Sequence, residues 1–207
     1  MNAARRALLL GLAAAPLWPR PAAAGAQQEE PLADSVRGVL AAAVADDAPP
    51  RPRFDDVDAR LRYLRWLGAA SDRLKPRKSE HHTRVEFLET VWYEGRRAGL
   101  ETSLVLGLIQ VESGFRKYAI SSAGARGYMQ VMPFWMRSIG GPGSDASRLF
   151  HAQTNLRFGC VILRHYLAVE RGDLFLALGR YNGSRGRAEY PNMVFGAQRS
   201  WALAQSS

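Results

Sequence analysis

Residues 104–115 read Leu104-Val105-Leu106-Gly107-Leu108-Ile109-Gln110-Val111-Glu112-Ser113-Gly114-Phe115, and one carboxylate in this run organises the reading of the rest. Leu104, Leu108 and Glu112 stand four residues apart, and Val105 stands seven before Glu112. In a helix these positions share a side, so the acid continues an apolar stripe instead of facing water. Gly114 ends such a helix shortly after the acid. A carboxylate that faces a core near a helix C-terminus is disfavoured as an anion by desolvation and by the helix dipole, and both raise its pKa. A group protonated near neutral pH can hand a proton to a leaving oxygen. The same spacing also admits a Glu that swings outward at a frayed helix end, or one paired with a buried Arg. The segment by itself leaves these readings open.

Helical periodicity continues on both sides. Val57, Leu61, Leu64 and Leu67 recur at spacings of four and three with Arg60, Arg62 and Arg65 between them, and Lys75-Pro76-Arg77-Lys78 closes that segment. A helix is predicted over 83–97, with Val85, Leu88, Val91 and Trp92 as its apolar side and Gly99 past its end. Others are predicted over 101–112, 128–139, 154–170, 173–181 and 192–204. Pro133 either interrupts the 128–139 helix or begins it, and the sequence leaves that boundary open. No stretch alternates with period two long enough to read as a strand. The expectation is an all-α single domain in which the glycine-rich connections at 121–127, 140–144 and 183–186 line a cleft.

The N-terminus differs in kind. Arg5 and Arg6 precede an apolar run from Ala7 to Trp18, followed by Ala22-Ala23-Ala24-Gly25-Ala26. This is the pattern of a secretory signal peptide, cleaved after Ala24 or Ala26, and the run is short for a membrane-spanning helix. An uncleaved anchor is the other reading; the Arg pair is weak evidence for twin-arginine export, and no Cys follows the run to carry a lipid. The expected organisation is a signal peptide at 1–26, a flexible linker at 27–53 with a short helix near 36–45, a helical extension at 54–82 and the main domain at 83–207. The mature protein is expected to be exported to the periplasm as a soluble protein, without stable membrane insertion.

Cys160 is the sole cysteine, so no intramolecular disulfide can form. It falls in the stripe Leu156, Cys160, Leu163, Leu167 and reads as a small buried hydrophobe. Residues 83–207 carry fifteen basic and nine acidic groups, an excess that suggests an anionic partner. Nucleic acid and the bacterial wall both qualify; the export signal favours the wall, and no nucleic-acid reading motif is present.

Four blocks give the chain a resemblance. Gly107 to Phe115 with Glu112-Ser113 resembles the catalytic motif of the family 1 lytic transglycosylases, a lysozyme-like fold with little or no sheet. Ser121-Ser122-Ala123-Gly124-Ala125-Arg126-Gly127-Tyr128-Met129-Gln130-Val131-Met132-Pro133 is similar to the family's Gly-Leu-Met-Gln block. Asn155-Leu156-Arg157-Phe158-Gly159 resembles its Asn-x-x-x-Gly helix start, and Tyr181-Asn182-Gly183 its Ala-Tyr-Asn block. The blocks occur in the family's order over residues 84–195. Tyr128 stands where Leu is usual, Arg180 replaces a small residue, and Gly183-Ser184-Arg185-Gly186 replaces an Ala-Gly run.

The resemblance implies cleavage of the β-1,4 bond between N-acetylmuramic acid and N-acetylglucosamine in peptidoglycan, with Glu112 as the sole acid and base and a 1,6-anhydromuramoyl product. The expected substrate-binding residues are Ser121, Tyr128, Gln130, Met132, Tyr181 and Asn182. Gln130 offers an amide to sugar hydroxyls and N-acetyl groups, Met132 a soft apolar wall, Ser121 a hydroxyl for the lactyl or peptide part. Tyr181 is expected to hydrogen-bond the Glu112 carboxyl, and Asn155 and Asn182 to cap helices or fix loops. A glycosidase with two carboxylates needs a second acid, but Glu170 and Asp173 read as solvated, with Asp173 an N-cap, and Asp145 and Glu189 as loop residues. Neither metal nor other cofactor is expected, since His81-His82, His151 and His165 lack partners at ligand spacing. A hydrolytic lysozyme on the same fold and a non-catalytic wall-binding or secretion scaffold, with wall or secretion-machinery partners, are the alternatives.

Overall fold

The computed structural model describes residues 27, 37, 38, 40, 52–140 and 145–202. The expected signal peptide at 1–26 lies outside the described residues, as does most of the short helix expected near 36–45, of which Arg37, Gly38 and Leu40 are helical. Among the described residues the architecture is all-α. Seven helices run in the order α1 (Val57–Leu74), α2 (His81–Arg97), α3 (Thr102–Ser113), α4 (Pro133–Gly140), α5 (Ala152–Val169), α6 (Leu174–Asn182) and α7 (Glu189–Trp201), with a 3-10 turn at Ala146–Phe150 before α5. The only β pairing among them is two isolated antiparallel bridges, Ile120 with Arg126 and Arg126 with Val131.

Local chemistry sets the helix ends. Asp56 caps α1 by accepting the Ala59 N–H at 2.6 Å, and Glu80 caps α2 by accepting from His82 and Thr83. Asp173 caps α6 through the Leu176 N–H at 3.0 Å, as its sequence position suggests. Two boundaries differ from the sequence expectation. The helix expected over 128–139 begins only at Pro133, because Arg126 and Val131 exchange backbone hydrogen bonds at 2.9 and 3.0 Å and hold 127–130 in a turn. Pro133 then supplies a φ suited to a first helical residue and lacks an N–H that would have no acceptor there. The same logic admits Pro191 into the first turn of α7, which starts at Glu189 and not at 192.

In α1 the periodic set Val57, Leu61 and Leu64 faces solvent, and Tyr63, Trp66, Ala70 and Leu74 are buried instead. Tyr63 packs against Trp92 at 4.9 Å and Phe54 at 5.0 Å between ring centroids. Two stripes competed for the interior, and the aromatic one covers more apolar area.

Helix α3 forms the centre of the core: Leu104, Val105, Leu106, Leu108 and Ile109 are all buried. Helix α7 lies directly across it. A Cβ on Gly107 would stand 2.6 Å from the Gln198 nitrogen and 2.9 Å from its Cα, so only hydrogen lets the two backbones meet. On the other flank, α2 is pinned to α5 by a buried ion pair in which the Arg157 guanidinium donates to Glu94 at 2.9–3.0 Å, and Gln153 also donates to Glu94. Burying charge in this way demands that the ions be hydrogen-bonded, and both Glu94 oxygens accept from Arg157. Cys160 is fully buried with its thiol pKa pushed up by burial, the inert core position expected of it. Among the described residues no helix is long and apolar enough to cross a membrane. Gln27 and Leu40, inside the stretch read as a linker, are both buried.

The close contact at Gly107 yields a stability test. Gly107→Ala is expected to force α7 off α3 and to destabilise the fold by about 1–3 kcal/mol, against the small gain in helix propensity that Ala brings elsewhere. Thermal unfolding followed by circular dichroism checks it; an unchanged or raised Tm contradicts the packing described.

Candidate active site

Glu112 lies in the last turn of α3, where the apolar stripe runs out against α7. Gly114, in the left-handed region at φ 58°, ends the helix. Glu112 is 6% exposed. Its Oε1 accepts a hydrogen bond from the Tyr190 hydroxyl, and Oε2 is buried with no hydrogen-bond partner among the described residues. Burial raises the Glu112 pKa to about 8 against the smaller, opposing effect of the Tyr190 hydrogen bond. The neutral acid is therefore the main form near neutral pH. Burial also raises the hydroxyls of Tyr181 and Tyr190 well above the ordinary tyrosine value, and the neighbouring Glu112 adds to it.

Tyr190 is the residue that sequence reasoning missed. Tyr190, Val194, Ala197 and Trp201 form the buried stripe of α7 at spacings of four, three and four, which is the signal that places Tyr190 inward. The role expected for Tyr181 is filled by Tyr190. Tyr181 instead donates to the Met129 carbonyl at 2.7 Å. It is fully buried and close enough to Glu112 to feel its charge, so it ties the 119–133 loop to α6 beside the carboxyl.

Most of the other expected contacts build that loop. Ser113 Oγ donates to the Tyr128 carbonyl at 2.7 Å. Ser121 Oγ accepts the Ala125 N–H at 3.1 Å, closing a turn. The Gln130 side chain was expected to offer its amide to sugar; it is 2% exposed and donates to the carbonyls of Ala119 and Gly127 at 3.2 and 2.9 Å. Gln130 also sits in the left-handed region at φ 48°, a costly conformation held by its surroundings. Asn155 has the structural role expected: it accepts the Met129 N–H and donates to the carbonyls of Arg126 and Leu149, each at 2.8 Å. Gly159, four residues on, leaves the space that the Met129 side chain occupies. Asn182 donates to Ser184 Oγ at 3.0 Å, again within a loop. Met132 is half-buried, its backbone N–H turned to Gln27.

Tyr128 was expected to bring a phenol or ring near the cleft, and the structure turns it the other way. Its ring packs on Phe87 at 4.7 Å and its hydroxyl accepts from Lys78 Nζ at 2.6 Å. Desolvation lowers the Lys78 pKa, with Lys117 contributing. Glu170, read as solvated, is buried: Arg180 Nε and Arg185 Nε approach one oxygen at 2.8 and 2.7 Å and Arg185 the other at 2.9 Å. The Arg185 hydrogen bond leads in holding its pKa down at about 2. Two residues at positions where the sequence departs from the resembling family, Arg180 and Arg185, thus engage Glu170. Asp145 caps the 3-10 turn through the Ser147 N–H at 2.8 Å, and Glu189 is exposed. Among the described residues no group of three or more His, Cys, Asp and Glu is placed to hold a metal. A groove of about 880 Å³ lined by Phe54, Tyr63, Trp66 and Trp92 lies elsewhere, and Glu112 is not part of it.

Comparison with known proteins places these residues in a family setting. The family model described as Transglycosylase SLT domain matches residues 90–201. The membrane-bound lytic murein transglycosylase C of Mannheimia succiniciproducens is 37% identical over 94 residues, covering 40% of this chain and 26% of that protein. A protein of the same name from Actinobacillus pleuropneumoniae is 35% identical over 95 residues, covering 42% of this chain and 25% of its own. The transglycosylase of Enterobacteria phage PRD1 is 29% identical over 106 residues, 51% of this chain and 38% of its own. The match thus spans about a quarter of the length of the first two relatives. An X-ray structure of an inactive mutant of the lytic transglycosylase Slt from Pseudomonas aeruginosa is similar over 69% of this chain and 27% of that one, with 23% identity and a TM-score of 0.44.

Burial of Glu112 has a measurable cost. Between its ordinary value of 4.5 and about 8, the folded chain holds a proton that the unfolded chain has released, so this group's contribution to stability falls as pH rises through that window. Glu112→Gln removes the titration and is expected to gain on the wild type from about pH 5 to about pH 8, by up to a few kcal/mol, in thermal melts. Tyr190→Phe removes the donor that favours the anion. It is expected to move the Glu112 titration, followed by carboxyl-carbon NMR, to higher pH still; a downward shift contradicts the role given to Tyr190.

Proposed function

The chain belongs to the transglycosylase SLT domain family, and from that premise we propose that it is a peptidoglycan lytic transglycosylase acting in the periplasm. The observation that carries this reading is a buried carboxyl with no cationic partner among the described residues, Glu112, held protonated near neutral pH beside a loop built from the family-like blocks. Tyr190 donates to Oε1, so the acid proton resides on Oε2, the oxygen left free of protein hydrogen bonds among the described residues. That proton passes to the β-1,4 glycosidic oxygen between N-acetylmuramic acid and N-acetylglucosamine as the bond breaks. The substrate's own 2-acetamido oxygen stabilises the positive charge that develops at the anomeric carbon.

Glu112 is now an anion in a site that disfavours anions, and it recovers a proton from the muramoyl C6 hydroxyl. The C6 oxygen closes on the anomeric carbon to give the 1,6-anhydro product, and no water is consumed. Tyr190 moderates the energy of the intermediate anion by its hydrogen bond. The remaining acids support a one-carboxylate route: Glu170 is engaged by Arg180 and Arg185, while Asp145 and Asp173 cap helical turns. The excess of basic groups over residues 83–207 suits a wall polymer that carries carboxylates.

Purified peptidoglycan digested with the protein is expected to release muropeptides lighter by one water than hydrolytic products, read by mass spectrometry. Products carrying the reducing end would assign a hydrolytic lysozyme instead. Glu112→Gln is expected to lower turnover by about 10²-fold or more. The rate is expected to fall as pH rises through about 8, where Glu112 loses the proton it must donate.

A further inference from the structure

Three cations at and just past the end of α1 each reach a different piece of the site. Arg73, in the last turn of α1, donates through Nη1 to the carbonyls of Ser200 and Ala202, both at 3.1 Å, at the C-terminal end of α7. Arg77 stands over the Phe115 ring at 5.7 Å, and Phe115 packs edge-on against Trp201 at 5.3 Å. Lys78 donates to the Tyr128 hydroxyl at 2.6 Å and lies over the rings of Phe87 and Tyr128 at 5.0 and 4.7 Å. Helix α7 carries Tyr190, Phe115 follows shortly after Glu112, and Tyr128 belongs to the loop beside the carboxyl. All three cations precede residue 90, where the family match begins.

Of the three, Lys78 has the most direct route to the carboxyl. The Tyr128 carbonyl accepts from Ser113 Oγ at 2.7 Å, and Ser113 adjoins Glu112 in the last turn of α3. The neighbouring backbone is pinned as well: the Gly127 N–H donates to the Ala119 carbonyl, the Met129 N–H to Asn155, and the Met129 carbonyl accepts from Tyr181. Lys78 adds a hold on the Tyr128 side chain. Its own backbone is fixed by the buried Arg84 of α2, which donates to the carbonyls of Lys78 and Ser79 at 2.7 and 2.9 Å and to Ser71 Oγ at 2.8 Å. Burial works against the charge on Lys78, and no acid pairs with it among the described residues. A hydrocarbon side chain would cover the same rings without that cost. What the ammonium adds is a cation over their faces and a fixed donor for one hydroxyl.

We propose that the extension is a positioning element for the reaction at Glu112, and that Lys78 is its positioning residue, setting Tyr128 and, through Tyr128 and Ser113, the turn beside the carboxyl. The inference rests on the glycan-cleaving function proposed above. A small displacement next to the reacting bond slows the chemical step, while substrate binding spread over many contacts changes little. The effect of Lys78 therefore falls on kcat.

Lys78→Met keeps the reach of the side chain and removes its donor and charge. On solubilised peptidoglycan strands, well below the melting temperature, it is expected to lower kcat about tenfold with KM within about twofold. Lys78→Arg restores a donor and a cation over the rings, and should return kcat to within about threefold of wild type. Leu is usual at position 128 in the resembling family, so Tyr128→Leu supplies a background without the partner. There Lys78→Met should change kcat by no more than about twofold. Amide hydrogen exchange followed by NMR gives a readout independent of activity: in Lys78→Met, exchange at Arg126 and Val131 is expected to quicken while that of α5 stays as in wild type. A lowered Tm with unchanged kcat, or an equal loss in the Tyr128→Leu background, overturns the proposal. Where Lys78→Met does not fold, Tyr128→Phe removes the hydroxyl alone, and an unchanged kcat there overturns it as well. If the wild type cleaves no peptidoglycan, the proposed function fails, and exchange that is unchanged or uniformly faster still refutes the role of Lys78.

Discussion

A carboxyl group taken out of water needs a donor or a proton, and the Glu112 site supplies both in a fixed order. Tyr190 satisfies one oxygen, and burial keeps a proton on the other. Neither condition arises within α3. Tyr190 reaches Glu112 because α7 lies directly on α3, and α7 can lie there because Gly107 leaves no Cβ between the backbones. The apolar stripe of α3 and the stripe of α7 that starts at Tyr190 are thus one interface, with the acid at its end. A side chain at 107 would alter the pKa at 112 by moving a helix, without touching the carboxyl.

The 119–133 loop is the second fixed piece, and its design is mostly inward. Residues of the sort that usually bind sugar, Ser121, Gln130 and Asn155, are engaged by backbone groups of the loop itself and, for Asn155, also by the Leu149 carbonyl. Asn155 and Gly159 serve one neighbour, Met129: the first bonds its N–H and the second gives its side chain room. Tyr181 holds the carbonyl of the same residue. The left-handed Gln130 is stabilised by this set of bonds. The indole N–H of the buried Trp135 and the backbone N–H of Met132 both turn to Gln27.

Charge is handled differently on the two sides of the molecule. Glu94 with Arg157 is fully enclosed and clamps α2 to α5, while Glu170 with Arg180 and Arg185 secures the turn after α6. Lys78, brought in by the connection between α1 and α2, spends its charge on the Tyr128 hydroxyl and on the faces of Phe87 and Tyr128. The extension before residue 83 is by this contact, and by Tyr63 against Trp92, packed onto the domain.

The sequence alone determined the helical class, the helix caps at Asp173 and Gly114, the burial of Cys160 and the placement of Glu112 on an apolar face. Each is a matter of local spacing, and a helix repeats that spacing whatever surrounds it. The order of the family-like blocks singled out Glu112 as the acid to which a role is proposed. The tertiary structure decided the rest: that Tyr190 and not Tyr181 donates to Glu112, that Tyr128 faces Lys78, that Glu170 is paired, that α1 buries its aromatic side, and that Gln27 lies against Trp135. These depend on which helix faces cross and how closely. Two tyrosines nine residues apart look alike in a sequence, and only the approach of α7 to α3 at a glycine determines which hydroxyl reaches the acid.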